Sequence, residues 1–130
     1  MSATMATIRI LLAGALTMAS GALFACGACI EDKIAATYDH ATVTAAAAKG
    51  DRVVFGAIDG PIDTRQVSER LRATAPKIHG VRQGTVHAST APPAFSFAMD
   101  RRAQPAEAAV AELEQRLAIP GLRLTVIRVQ

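Results

Sequence analysis

One short stretch holds the residues whose types and spacing could do chemistry: Cys26-Gly27-Ala28-Cys29-Ile30-Glu31-Asp32-Lys33. It contains both cysteines of the chain. Two thiols separated by two residues can close a disulfide, exchange disulfides with another protein, or hold a soft metal ion through two thiolates. Two thiolates suit copper(I), which tolerates two-coordination, whereas structural zinc wants four ligands and the sequence offers no second pair. Cys26 and Cys29 are therefore the candidate metal ligands, with copper(I) as the ion. A thiol–disulfide redox protein and a structural or partner-binding module pinned by a disulfide remain the alternatives.

The surroundings of the pair predict a helix start. Glu31 and Asp32 suit a first turn, where the positive end of the peptide dipole favours acids. That dipole favours a thiolate at Cys29, and the two carboxylates oppose it. His40 is a poor third ligand. It lies eleven residues beyond Cys29, about 16 Å along a continuous helix. His79, beside a glycine at an expected helix exit, and His87, on an expected edge strand, read as surface residues. Met99 alternates with two phenylalanines and reads as core. Asp59 and Asp63 are explained by turn and cap chemistry. The sequence shows no Ser/His/Asp constellation, glycine-rich phosphate loop or paired-carboxylate motif, so no catalytic residue is expected.

The chain of 130 residues suits one folded domain. Apolar residues make up 51%, but aromatics only 4%, so Val, Ile, Leu and four Phe must build the core. The net charge of +3 comes from arginines interspersed with acids. That is unlike the clustered basic face of a nucleic-acid binder.

Residues 1–25 have the layout of a secretory signal. Arg9 supplies the positive start, Ile10 to Ala19 an uncharged, mostly apolar run, and Ser20-Gly21-Ala22 or Ala25 the small residues before a cut. The run is short for a bilayer span. The expected location is periplasmic or secreted. Leu23-Phe24-Ala25-Cys26 resembles a bacterial lipoprotein box, with Phe24 in place of the usual small residue. Lipidation of Cys26 would attach the protein to a membrane and remove the thiol pair.

Beyond the signal the sequence divides into a Cys-x-x-Cys helix over 26–50 and an α+β domain over 51–130. Ile30, Ile34, Tyr38, Ala41 and Ala45 recur at helical spacing and predict one helix from about Ile30 to Ala48, stopped by Lys49 and Gly50. Val53-Val54-Phe55 predicts a strand. Asp63 with Gln66 predicts a capped helix start, with Val67 and Leu71 facing inward. Val81 to Thr90 is β-permissive, with Gly84 as a bulge. Phe95, Phe97 and Met99 alternate and predict a strand with one buried face. Pro105 opens a helix with Val110, Leu113 and Leu117 on its apolar side. Leu122 to Val129 predicts the last strand. Phe55, Val67, Leu71, Phe95, Phe97, Val110, Leu113 and Val126 are the expected core.

The order strand, helix, strand, strand, helix, strand is the ferredoxin-like βαββαβ arrangement. Over Arg52 to Gln130 it resembles the heavy-metal-associated domain of small copper chaperones and metal-pumping ATPases. The resemblance rests on Val53 to Pro61, His79-Gly80-Val81, Phe95 to Asp100, and Leu113 to Val126. It implies a metal ion, or a metal-handling protein, as partner. That family binds its ion through a Met-x-Cys-x-x-Cys loop after the first strand. Here the loop reads Ala57-Ile58-Asp59-Gly60-Pro61-Ile62-Asp63-Thr64, without cysteine, so the family's metal residues do not carry over to it; the one Cys-x-x-Cys lies before the domain, on the added helix. A thioredoxin-like fold is the rival, but it needs a strand immediately before the cysteines, where the signal lies.

Overall fold

The computed structural model describes residues 21–130, with side chains from Cys29 onward. Two helices come first, α1 (Gly21–Thr37) and α2 (His40–Lys49). Then follow β1 (Arg52–Asp59), α3 (Thr64–Thr74), a 3-10 turn (Ala75–Lys77), β2 (His87–Thr90), β3 (Pro93–Met99), α4 (Ala106–Leu117) and β4 (Arg123–Val129). The α+β class is as expected: among the described residues, four helices and one four-stranded antiparallel sheet, ordered β2-β3-β1-β4.

Local chemistry sets most of the boundaries. Asp63 caps α3 by accepting from the backbone N–H groups of Arg65 and Gln66, two donors a helix start otherwise leaves unpaired. Gly50 ends α2 at φ 72°, and its N–H reaches back to the carbonyls of Ala46 and Ala47.

The single helix expected over Ile30–Ala48 is two helices. The break falls at Tyr38 and Asp39, because Asp39 is extended and caps a new helix. Its carboxylate accepts from the Thr42 N–H at 2.9 Å and from the Thr42 hydroxyl at 2.7 Å. The expected stripe changes with the break. Ile34 and Ala46 are buried, whereas Ile30 and Tyr38 are exposed. The β-permissive stretch before Thr90 also shortens. Only His87–Thr90 forms a strand, Val81 makes an isolated bridge to Met99, and Gly84 takes a positive φ.

The two faces of the sheet carry separate cores. Val54, Ile58, Phe95, Phe97 and Met99 pack with Val67, Leu71, Val110, Leu113 and Leu117 of α3 and α4. Val53, Phe55 and Ala98 pack on the other face with Ile34 of α1 and Ala46 of α2. Thus α1 and α2 form a third layer, and β3 is buried on both sides. Its small residues Ala94, Ser96 and Ala98 are as inaccessible as its large ones. Every residue of the expected core is buried except Val126, which is half-buried against it.

One glycine marks how tightly the α3/α4 side is packed. Gly56 faces Phe95 across the β1–β3 pair. A Cβ there would stand 2.1 Å from Phe95 Cζ, closer than any non-bonded carbon pair. Gly56→Ala should therefore destabilise the fold by about 1–3 kcal/mol through overpacking. Phe95→Leu shortens the side chain that causes the clash. Denaturant unfolding of the single and double variants should show the two losses to be less than additive. Full additivity would place the Phe95 ring elsewhere.

Candidate functional site

The Cys-x-x-Cys helix is placed by one row of residues that crosses the whole sheet. His87 of β2 is opposite Ser96 of β3, Ser96 is opposite Phe55 of β1, and Phe55 is opposite Arg128 of β4. Cross-strand partners project from the same face, so these four side chains form a line beneath α1 and the start of α2. The buried Ser96 hydroxyl donates to the Thr37 carbonyl at 2.8 Å. Ile34 packs in the Phe55 cluster, and the Tyr38 ring stacks on Phe55 at 6.5 Å between centroids. Arg128 donates to the Glu31 carboxylate, with Nη2 at 2.7 Å. His87 Nε2 lies 3.2 Å from the Thr42 hydroxyl and 3.8 Å from Asp39 Oδ2.

These contacts fix the direction of α1. Glu31 to Thr37 spans about 9 Å of helix, and β4 to β3 spans two strand spacings, about 9.5 Å. The helix lies across the strands, with Thr37 over β3 and Glu31 at the β4 edge. Cys29 precedes Glu31 by two residues and is an exposed, free thiol. Cys26 also belongs to α1, but its side chain lies outside the described residues. Of the signal expected over 1–25, residues 1–20 lie outside them too. The expected helix start at Glu31 and Asp32 is not found. The described part of α1 begins at Gly21, because Ala22-Leu23-Phe24-Ala25 contains no residue that stops a helix.

The other sequence candidates do not gather around the cysteines. Asp59, in the cysteine-free loop, lies four residues along β1 from Phe55, about 13 Å away. That loop leads into α3, on the sheet face opposite α1. His40 is exposed, and its Nε2 lies 3.5 Å from the Thr44 hydroxyl. His79 is exposed, and its carbonyl accepts from Gln104 at 3.0 Å. Met99 is fully buried in the α3/α4 core. Among the described residues, no three His, Cys, Asp or Glu side chains converge as a metal site. No helix among them is long and apolar enough to cross a membrane.

A second polar centre was not visible in the sequence. Asp51 is buried just before β1 and takes a two-pronged ion pair from Arg82, Nε to Oδ2 and Nη2 to Oδ1, both at 2.9 Å. The pair ties the segment before β2 to the start of β1. It holds the Asp51 carboxyl below its ordinary value of 3.8, chiefly through the Arg82 hydrogen bonds, with burial opposing. Arg128 likewise lowers Glu31, and the Thr42 hydrogen bonds lower Asp39. Asp51 and Arg82 are thirty-one residues apart, with no periodic signal joining them.

No protein-family model matches this chain, and no curated protein matches it.

The Asp51–Arg82 pair yields a pH prediction. A carboxyl depressed in the folded state contributes stability that is present above its unfolded pKa and lost as pH falls through the folded one. Asp51→Asn removes that contribution. The variant should be less stable than the parent at about pH 6, and the gap should narrow by about pH 3. Denaturant midpoints across that range measure it. A gap that stays constant would mean that the Asp51 charge is not what the pair stabilises.

Proposed function

We propose that this chain is an exported soft-metal-binding protein that holds copper(I) between Cys26 and Cys29 on a ferredoxin-like scaffold with added N-terminal helices. The scaffold reading is supported by the strand order β2-β3-β1-β4, with a helix in each crossover. The observation that carries the functional reading is the exposed free thiol of Cys29 on a helix that also contains position 26.

Residues three apart on a helix share a face, with Cβ atoms about 5–6 Å apart. Two thiolates so spaced can be bridged by one soft ion. Removal of residues 1–25 would leave Cys26 and Cys29 in the first helical turn, at the start of the mature chain. Of the two carboxylates that follow, Glu31 is paired with Arg128, and Asp32, three residues beyond Cys29, shares its helix face. A metal ion, or a metal-handling protein that delivers or receives one, is the partner this chemistry fits.

The test is a copper(I) titration of the reduced mature protein against a competing chelator, with Cys26→Ser/Cys29→Ser as control. One copper(I) per chain should bind, and the double variant should lose it. Equal binding by the variant, or none by either, would leave the cysteines as a structural clip. Intact mass of the exported protein reports the leader. It should begin between Leu23 and Cys26, and a mass retaining Met1 to Ser20 would contradict export.

A further inference from the structure

Away from the cysteines, the ends of α2 and β3 enclose a polar cleft of about 400 Å3. Lys49, Asp51, Arg82, Asp100, Arg101 and Arg102 line it. Four cations face two carboxylates, an excess of two positive charges.

The carboxylates are already committed. Asp51, with a side chain only 3% exposed, is saturated by Arg82. Asp100 lies 3.8 Å from Arg82 Nη2 and accepts the Arg102 backbone N–H at 2.9 Å, which fixes the turn that presents Arg101 and Arg102. The cations are less committed. Among the described residues, Lys49, Arg101 and Arg102 have no ion-pair partner, and Arg82 Nη1 donates to no protein acceptor. A guanidinium carries five N–H donors in a rigid plane. With Nε and Nη2 fixed on a buried carboxylate, Arg82 holds its remaining edge in a set orientation. Its side chain is 45% exposed and lines the cleft.

A phosphate monoester carries about −1.5 to −2 charges at pH 7 and three acceptor oxygens. That matches the charge excess, and the unclaimed donors are more than enough for its three oxygens. Guanidinium groups pair with such oxygens two at a time. We infer that this cleft is a binding site for a small phosphate monoester. Arg82 Nη1 and the Arg101–Arg102 pair bind the phosphate oxygens, and Lys49 closes the opposite side. The ester's organic part extends into the adjoining groove of about 330 Å3 between α2 and the Gln83–Thr85 segment. Asp51 is a positioning residue, because it acts only through Arg82.

Phenyl phosphate is the probe, added to the full chain at constant ionic strength and followed by amide chemical shifts. Saturable shifts should be confined to the cleft and the adjoining groove, residues 39–51, 82–85 and 98–102. Arg101→Gln/Arg102→Gln, at exposed turn positions, should retain the parent melting temperature and weaken binding about tenfold or more. Lys49→Gln should weaken it less, and Cys26→Ser/Cys29→Ser should leave it unchanged. Three results would overturn the inference. They are shifts that follow ionic strength without saturating, equal affinity in the double arginine variant, and benzoate binding as tightly as phenyl phosphate. Binding to anionic vesicles without phenyl phosphate binding would also overturn it, by making the cations a membrane-facing surface.

Discussion

The hydrogen bond from Ser96 to the Thr37 carbonyl is the contact on which the upper layer depends. A helix leaves its last carbonyls without internal partners, and burying one unpaired is costly. Thr37 is the final residue of α1 and is buried. A hydroxyl from the middle of the sheet meets its carbonyl, so the helix can end against β3 without losing a polar interaction. The strand permits this approach because Ala94, Ser96 and Ala98 present little bulk on that face. Larger side chains there would hold α1 off and leave Phe55 and Ile34 without each other.

That anchoring gives the two candidate sites different characters. The cysteine helix is held by Ser96 under its end, by Ile34 and Phe55 in its middle, and by the Glu31–Arg128 pair at the sheet edge. The outer ion pair is exposed and adds orientation more than energy. Cys29 thus lies just beyond the last tie, exposed and carried on the docked helix. The arginine cleft is the opposite case. Its key donor is immobilised from within by a buried carboxylate, and its remaining cations ride on a turn.

Much of the lower layer was legible because each signal is local. Asp63 three residues before Gln66, the alternation of Phe95, Phe97 and Met99, and the spacing of Val110, Leu113 and Leu117 each specify an element without knowledge of its neighbours. What escaped reading depends on a second element. Ser96 and Ala98 look like solvent-facing positions until α1 and α2 cover them. Asp39 lies inside an apolar helical period that runs through Tyr38, so its capping role emerges only with the break. Gly56 has no local turn to explain it, and its reason is the Phe95 ring on the next strand. The cleft joins residues from the end of α2, the start of β1, the segment before β2 and the turn after β3, which no window of sequence brings together. At the candidate metal site, the spacing of Cys26 and Cys29 was plain, but the direction of the helix that carries them was not.

α1 is an integral layer of the fold, docked across the strands. Native-state amide hydrogen exchange of its last turns measures this most directly. If the helix is docked as described, the amides of Ile34 to Thr37 should open only with the cooperative unfolding that releases the β1 amides, and show comparable protection. If those amides exchange at the rate of an isolated short helix while β1 stays protected, α1 is not part of the folded layer, and the placement of the cysteines is wrong.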